Sequence, residues 1–349
     1  MTKTYLASTY HDSVLSWTNF ANFNLALRFS NINTEYYAVR KNVGMFDISH
    51  MGILSVHGSQ ASEFLQYISC NDINGIKPTH IQYSMLLNED AGILDDIMII
   101  KHSNNNYLLI VNACNKKKII QWMDKCKKNS TVTIEDRNSS YSLLAIQGPQ
   151  AIATIDKAWH SHLYKIPRFT CLEYPYKKDT IHIMRTGYTG EDGIEILVPH
   201  KLAAYLWNEL QTMNITACGL ACRDVLRIEA GLPLYGQELS TNIHPLMTRY
   251  AWVVKWHKNF IGKEALHKKS QSPFMKIKGL VLDKKRMPKY QDKIQEGGYI
   301  SSSTLSIANN QVIAMAYMPD EKIYEKVHIQ IRQDTISATP TLLPFYKRN

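Results

Sequence analysis

Hydrophobic and polar positions along the chain follow two periods, one typical of strands and one typical of helices. Gly52–Val56 is a short apolar run that predicts a strand ended by Gly58, and Ser59 is expected to cap the helix that follows. Four apolar positions of that helix have the i, i+3, i+4, i+7 spacing of a buried stripe: Ala61, Phe64, Leu65 and Ile68.

The next apolar runs extend this order of elements. Leu94–Ile100 and Tyr107–Val111 are short and bounded by polar turns, which predicts two more strands. Asn115 is expected to cap a second helix. Strands and helices in this order indicate an α+β fold, with an antiparallel sheet that carries helices on one face.

The same mixture resumes after Tyr141. Leu143–Ile146 predicts a strand, and Gly148–Pro149 predicts the first turn of a helix. Ile181–Met184 and Ile194–Val198 are predicted strands on either side of a glycine-rich turn. Two more helices are predicted, an amphipathic one with Leu202, Ala203, Leu206, Trp207 and Leu210 on one face, and a short one from about Arg223 to Gly231.

The character of the chain changes after Leu266, where no long helical pattern follows. Lys276–Leu282, Val312–Met318 and Val327–Arg332 are predicted strands. We therefore expect a domain boundary within residues 267–275 and a small all-β barrel or sandwich after it.

Composition excludes several classes of protein. The chain has 349 residues, of which 45% are hydrophobic and 20% are charged, as in globular proteins. No apolar window is long enough to span a membrane, and the first twelve residues resemble neither a signal peptide nor a transit peptide. These features predict a cytoplasmic, bacterial location rather than the mitochondrial matrix. The six cysteines contain no Cys-x-x-Cys pair and are expected to be reduced and mostly buried.

Positive charge is concentrated in one segment. The whole chain has a formal charge of +10, and Lys255–Lys289 alone contains eleven Lys or Arg residues against two acidic ones. Such a segment suits an acidic protein, a polyanionic ligand or a nucleic acid, and a solvated lysine-rich face is the alternative.

Several familiar catalytic motifs are missing from the sequence. There is no dinucleotide-binding glycine motif, P-loop, zinc-protease motif or nucleophile elbow. The thirteen histidines form no ligand-spaced cluster, and we expect His160 and His162 to lie on the surface. The sequence therefore predicts no metal site.

A pair of carboxylates enters an apolar strand at Asp95 and Asp96. Burying a carboxylate is costly unless it is hydrogen-bonded or solvated. Strand alternation sends the two side chains to opposite faces, so at most one of them points into a given pocket. An aspartate that caps the strand is the alternative.

A glycine-rich segment, Arg185–Glu195, is the second candidate site. Its three glycines at three-residue spacing predict a tight loop from which Tyr188 and Glu195 can reach a ligand. The Glu195 carboxylate can accept paired donors from an amino-heterocycle, and Arg223, near a predicted helix start, can bind a ligand carboxylate. The alternatives are an ordinary hairpin and a surface pair of Arg223 with Asp224.

Together these segments resemble the glycine cleavage system T-protein (aminomethyltransferase) family. The matching segments run in family order over about residues 36–266. They are Ala38–Gly52, Tyr83–Ser84, Asp95–Asp96, Val111–Ala113, Gln147–Pro149, Arg185–Glu195, Arg223–Asp224, Tyr235–Glu238 and Phe260–Lys263. The chain departs from the family pattern at Asn22–Phe29 and at Ser301–Ile307.

The resemblance implies a fold and a reaction. The fold is a three-domain cloverleaf around a central folate pocket, with a folate-binding lobe at 1–50 plus 138–266, an inserted lobe at 51–137 and a C-terminal β-barrel at 275–349. The reaction transfers the methylene unit of aminomethyl-lipoyl H-protein to tetrahydrofolate and releases ammonia. The implied partners are lipoylated H-protein and folate, with no nucleic acid or membrane, and the chain is expected to be a monomer.

The resemblance also implies roles for single residues. By motif position, Asp96 is the catalytic residue beside the reactive nitrogens of the folate. The residues that would line the folate site are Met51, Tyr83, Asn112, Tyr188, Glu195, Arg223 and Tyr346. A fixed carboxylate at position 96 would stabilise the positive charge that develops on the transferred carbon.

Other functions remain as alternatives. A folate-binding iron–sulfur maturation protein of the same fold, without transferase activity, has a cysteine where Pro233–Glu238 has none. The folate-dependent half of dimethylglycine or sarcosine dehydrogenases would need a flavin domain. A basic nucleic-acid-binding protein would need aromatic platforms or a recognised module.

Overall fold

Helices and strands alternate along most of the chain in the computed structural model, which describes residues 2–128, 130–321 and 323–348. The α-helices are α1 Ala7–Tyr10, α2 Ile32–Lys41, α3 Ala61–Ile68, α4 Lys116–Lys127, α5 Ala151–Trp159, α6 His200–Thr212, α7 Leu220–Glu229 and α8 Lys263–Lys269.

The strands confirm the predicted α+β class. They are β1 Ser16–Phe20, β2 Phe23–Arg28, β3 Gly44–Asp47, β4 Gly52–His57, β5 Ile81–Leu87, β6 Ile93–Ser103, β7 Asn106–Val111, β8 Thr133–Asp136, β9 Tyr141–Gln147, β10 Cys171–Tyr176, β11 Asp179–Met184, β12 Gly193–Pro199, β13 Thr216–Ala217, β14 Met275–Leu282, β15 Tyr299–Ser306, β16 Gln311–Pro319, β17 Val327–Ile331 and β18 Asp334–Thr341. None of the helices in the described residues is long and apolar enough to cross a membrane.

The chain divides into two compact units. The first comprises Met1–Gln66, Asp72–Ser84 and Ile97–Arg223, and the second comprises Tyr67–Asn71, Met85–Asp96 and Asp224–Asn349. The division falls within helices α3 and α7 and within strands β5 and β6. The three-domain division expected from the sequence stays a prediction. The first and last residues of that division, Met1 and Asn349, lie outside the described residues.

The sheet with strand order β10-β11-β12-β9-β3-β13 forms the core of the first unit. Ile183 and Ile196 point to one face, where they pack with Trp207 of α6 and other apolar side chains of α5 and α6. Because successive strand residues alternate between faces, His182 and Glu195 lie on the opposite face. Glu195 is directly opposite Met184 of β11 in the register. This face is therefore the one that carries polar candidates.

A second sheet has strand order β5-β6-β7-β4-β8. Strand β4 pairs antiparallel with β7 and with β8. The short apolar runs of the sequence predicted β4 and β7 as strands, but not this pairing. Before it, β1 and β2 form a hairpin whose turn residues Ala21 and Asn22 have φ of 50° and 67°. The departure at Asn22–Phe29 is therefore mostly one strand of a hairpin.

The second unit contains an antiparallel sheet with strand order β15-β16-β14-β18-β17, which is curled into a half-barrel. Its interior is filled by apolar side chains that alternate along the strands, including Leu280, Ile300 and Ile329, all fully buried. This sheet bears out the all-β C-terminal region predicted after the basic segment.

Two predicted helix starts are wrong in detail. Helix α3 begins at Ala61, the first position of the predicted apolar stripe, and the Ser59 cap stays a prediction; the Ser59 hydroxyl is hydrogen-bonded to Thr131 Oγ1. Asn115 precedes α4 but makes no side-chain cap hydrogen bond. Helix α7 begins at Leu220 and not near Arg223; it directly follows Gly219, where a Cβ would meet the carbonyl oxygen of Leu27 at 2.3 Å.

Candidate functional site

The glycine-rich loop that leads into β12 is fixed by two ion pairs. Arg40 Nη1 lies 2.9 Å from Glu191 Oε1, with both side chains buried, and it also donates to the carbonyl oxygen of Thr189 at 2.7 Å. Arg185 pairs with Asp192 across the loop at 3.2 Å. Movement of the loop would separate the buried Arg40–Glu191 pair and leave an unpaired buried charge, which is costly. These contacts therefore hold the loop in place before any ligand arrives.

Gln147, a fully buried residue of β9, holds the same loop through side-chain hydrogen bonds. Its Nε2 donates to the carbonyl oxygen of Thr186 at 3.1 Å, and its Oε1 accepts from Thr189 Oγ1 at 2.9 Å. A Cβ at position 187 would lie 2.0 Å from Gln147 Oε1, so Gly187 is required by this close approach. The loop glycine therefore serves packing against Gln147, which the spacing of glycines in the sequence did not reveal.

Three of the residues expected to bind folate come together on this loop and on α7. The Arg223 guanidinium carbon lies 4.7 Å from the centre of the Tyr188 ring, a cation–π contact. Burial lowers the pKa of the Arg223 guanidinium, and the nearby Glu195 carboxylate and Tyr188 oppose this shift. Thr186 Oγ1 donates to Glu195 Oε2 at 2.5 Å, which fixes the carboxylate.

Arg223 retains binding capacity in this arrangement. Its Nη1 is buried and has no hydrogen-bond acceptor in the described part of the chain. Its backbone N–H is already used, because it donates to the carbonyl oxygen of Gly219 at 3.1 Å. The guanidinium, rather than an open amide of the helix start, is therefore the group that can bind an anionic or carbonyl oxygen.

A small pocket beside Arg223 contains residues that the sequence analysis did not single out. Its lining includes Asp47, His50 and Arg223. Asp47 Oδ2 accepts from Thr4 Oγ1 and from Tyr10 Oη, each at 2.6 Å. Burial, together with the positive charge of Arg223, lowers the pKa of His50 to about 3. This histidine is therefore a neutral group next to the site.

Met51, Tyr83 and Asn112 belong to the first unit and are half-buried. Met51 lies just before β4, and its carbonyl oxygen accepts from Asn138 Nδ2 at 2.7 Å. Tyr83 lies on β5, and Asn112 follows the last residue of β7. Their proposed contacts with a ligand stay predictions.

Asp96 lies on β6 and is counted with the second unit. It is half-buried, whereas its neighbour Asp95 is fully buried, as expected for side chains on opposite faces of a strand. Burial raises the pKa of Tyr250 to about 12; the positive charge of Arg249 opposes this and the Asp96 carboxylate adds to it. The Asp96 carboxylate is thus close enough to influence the Tyr250 phenol of the same unit.

Tyr346 and the Tyr235–Glu238 motif also lie in the second unit. The backbone N–H of Tyr346 donates to the carbonyl oxygen of Glu229 at 2.9 Å. Glu238 is fully buried and pairs with Arg227 of α7 at 2.8 Å. This motif is therefore held by a buried ion pair.

Comparison with known proteins identifies the class of protein to which this fold belongs. The chain matches the GCVT N-terminal domain over residues 7–258 and the glycine cleavage T-protein C-terminal barrel domain over residues 276–347. It is 38% identical over 338 residues to an aminomethyltransferase of Thermosipho melanesiensis, covering 94% of this chain and 93% of that protein. It is 34% identical to an aminomethyltransferase of Cutibacterium acnes, covering 99% of each chain.

A solved structure agrees with these matches. The fold superimposes with a TM-score of 0.92 on the glycine cleavage system aminomethyltransferase T from Bartonella henselae, at 29% identity, covering 99% of this chain and 98% of the other. The chain belongs to the glycine cleavage T-protein family. Its function is that of an aminomethyltransferase, and the comparisons give no support to an iron–sulfur maturation protein.

Proposed function

We propose that the chain transfers the methylene unit of aminomethyl-lipoyl H-protein to tetrahydrofolate, which releases ammonia and leaves dihydrolipoyl H-protein. The observation that carries this proposal is the grouping of Tyr188, Glu195 and Arg223 around one fixed loop. A folate offers an amino-heterocycle with N–H donors and a tail with carboxylates. The Glu195 carboxylate suits the N–H donors of the heterocycle, and the Tyr188 ring suits its flat face. The Arg223 guanidinium suits a carboxylate of the tail.

The buried Nη1 of Arg223 is the strongest sign that a ligand group is recognised here. A buried donor without an acceptor costs free energy, and a ligand oxygen at this position recovers it. Because the two ion pairs and Gln147 hold the loop, binding does not have to order it. These side chains therefore bind and orient the folate.

Asp96 is assigned to the transfer step. When the carbon–sulfur bond breaks and ammonia leaves, positive charge develops on the carbon that is transferred. A half-buried carboxylate fixed on a strand stabilises that charge, an effect that can contribute several kcal/mol. Holding the lipoyl carbon against a folate nitrogen adds a further contribution from proximity.

Met51, Tyr83, Asn112 and Tyr346 are assigned to the remaining contacts with the folate. All four are half-buried, so each keeps some surface for a ligand. Tyr83 lies on β5 and Asn112 directly follows β7, two strands of the sheet that contains β6, and Tyr346 stands in the C-terminal segment that bonds to Glu229.

Ammonia release from aminomethylated H-protein, measured with and without tetrahydrofolate, tests the proposed function. We expect a strong acceleration by tetrahydrofolate, with the appearance of methylene-tetrahydrofolate in equal amount. The same H-protein without its lipoyl group is the matched control and should release no ammonia. A chain that binds folate but shows no folate-dependent acceleration would overturn the proposal.

A further inference from the structure

In the described part of the chain, two groups of side chains have ligand atoms close enough together to hold a metal ion. One of them is Glu35 with Cys218 and Cys222, all buried. The Glu35 carboxylate already accepts three backbone N–H hydrogen bonds, at 2.7 to 2.8 Å. Burial raises the pKa of the Cys218 thiol, which disfavours the thiolate that a metal requires. This group is explained by folding alone.

The other group consists of His102, Glu173 and His182, which lie on β6, β10 and β11. His102 Nδ1 is 3.7 Å from Glu173 Oε1, and His182 Nδ1 is 3.9 Å from the same oxygen. The two imidazole rings are 5.4 Å apart between centres and meet edge to face. One ligand atom from each residue lies within 4.8 Å of the other two.

Strand pairing brings these residues together from distant parts of the sequence. In the β10–β11 register, Glu173 is directly opposite His182, so their side chains share one face. Thr79 links the third strand, since its N–H donates to the carbonyl oxygen of Lys101 and its carbonyl oxygen accepts from Cys171 N–H, each at 2.7 Å. The cluster is therefore built by the backbone of three strands, which explains why the spacing of histidines along the sequence did not predict it.

Hydrogen bonding within the cluster is incomplete. A histidine binds a metal ion through a ring nitrogen that carries no proton. The buried Nδ1 of His182 has no hydrogen-bond partner among the described residues, which leaves its lone pair or proton unsatisfied.

We propose that His102, Glu173 and His182 form a binding site for a divalent transition-metal cation of the zinc class. Two imidazoles and one carboxylate are a ligand set that Zn²⁺ uses, with a fourth position for water. Ligand atoms around a tetrahedral Zn²⁺ are roughly 3.4 Å apart, given bond lengths of about 2.1 Å. The Glu173 side chain is 64% exposed, so it can move the few tenths of an ångström that would bring its carboxylate to this distance from each histidine nitrogen.

The proposed site uses none of the residues assigned to aminomethyl transfer and does not rest on that function. A bound cation would join β6 to β10 and β11, and so would stabilise the face of the sheet that also carries Glu195. Any ligand that binds the folded chain and not the unfolded chain raises stability in this way. The site is therefore expected to raise the melting temperature without being required for turnover.

Titration of the metal-free chain with Co²⁺ and with Zn²⁺ tests the proposal. We expect one equivalent of Co²⁺ with the visible absorption bands of a four-coordinate ion, displaced by Zn²⁺, and a higher Tm in the presence of Zn²⁺. His182→Gln and Glu173→Gln each remove a direct ligand and should weaken binding by at least the roughly tenfold to hundredfold that loss of a residue supporting a ligand costs. His160→Gln, which changes a histidine outside the cluster, should leave binding unchanged.

Glu173→Gln still tests the site if His182→Gln fails to fold. The Glu173 side chain is mostly exposed, so its replacement does not disturb the core. Binding that stays at one equivalent with unchanged affinity in Glu173→Gln would overturn the site. Absence of any stoichiometric Co²⁺ binding to the unmodified chain would overturn it as well.

Discussion

At the scale of single residues, Glu195 has the most specific environment of the proposed folate site, because Thr186 donates to one carboxylate oxygen and Arg223 lies near. Glu195→Gln replaces an acceptor group by one that also carries N–H donors. We expect the Kd for tetrahydrofolate, measured by calorimetry, to rise by about tenfold to a hundredfold. Glu63→Gln, at an exposed position of α3, should leave the Kd unchanged, and equal affinities in both variants would contradict the role of Glu195.

The buried His50 leads to a prediction of how the stability of the fold depends on pH. Its pKa is lowered to about 3 in the folded chain by burial and by Arg223, against about 6.5 when unfolded. Below about pH 6.5 the unfolded chain therefore binds a proton that the folded chain does not, and stability falls as the pH falls. Between about pH 7 and about pH 5 this contribution costs about 2 kcal/mol.

His50→Gln isolates that contribution, because glutamine does not titrate. Denaturant unfolding at the two pH values should show a loss of free energy of unfolding that is about 2 kcal/mol smaller in the variant. Identical losses in both chains would show that His50 is not buried in its neutral form.

The sequence singled out three residues that the structure groups together, but not the residues that hold them in place. Tyr188, Glu195 and Arg223 could be selected because a carboxylate, a ring and a guanidinium near a glycine-rich loop suggest a ligand. His50 and Gln147 could not, because their importance comes from burial and from long-range contacts, which no local pattern encodes.

At the scale of elements, the loop before β12 depends on Gly187. In Gly187→Ala the added Cβ would collide with Gln147, whose amide is buried and already hydrogen-bonded on both sides. We expect a loss of about 1–3 kcal/mol in the free energy of unfolding and a higher Kd for tetrahydrofolate.

Gly75→Ala is the matched control for this change, since its Cβ would meet only ordinary contacts, the nearest at 3.7 Å. Urea unfolding and folate titration of both variants give the comparison. If Gly187→Ala were as stable and bound folate as tightly as the control, the close packing of the loop on Gln147 would be refuted.

Elements with a clear apolar period were predictable, and those without one were not. Strands β4, β7 and β16 appear close to their predicted bounds because they are short apolar runs. Strand β15 was missed because most of its buried positions carry hydroxyl groups instead of apolar side chains: Ser302 accepts from Arg227, and Ser306 donates to Glu229. The departure from the family pattern at Ser301–Ile307 is therefore largely a strand with polar partners.

At the scale of the whole molecule, some of the positively charged side chains of Lys255–Lys289 make hydrogen bonds and ion pairs within the fold. Lys258 is buried and donates to the carbonyl oxygen of Ser69 at 2.5 Å, and Lys276 pairs with Asp320 at 2.6 Å. Exposed cations such as Lys284 and Lys289 remain for long-range attraction. The segment is thus a mixture of structural and solvated charges, which charge counting alone could not separate.

We expect those exposed cations to steer an acidic partner or a polyglutamate tail. Lys284→Gln with Lys289→Gln should raise the apparent KM for H-protein a few-fold at low salt and reduce its dependence on ionic strength. Lys157→Gln with Lys177→Gln removes two exposed charges outside the segment and should change neither quantity. Equal salt dependence in all three chains would identify the segment as solvated surface.

The α+β class and the all-β C-terminal region followed from the sequence pattern, whereas the family followed only from many short motifs taken together. No pattern in the sequence predicted the pairing of β3 with β13 or the order of strands in each sheet, because these depend on contacts between distant segments. The cluster of His102, Glu173 and His182 arises in the same way.

The central claim is that the carboxylate of Asp96 drives transfer to tetrahydrofolate, and turnover of Asp96→Asn tests it most directly. Folate-dependent ammonia release from aminomethylated H-protein should fall by about a hundredfold to a thousandfold in this variant. The Kd for tetrahydrofolate should stay within about threefold, because the amide keeps the size of the side chain. Turnover at the unmodified rate in Asp96→Asn would contradict the account.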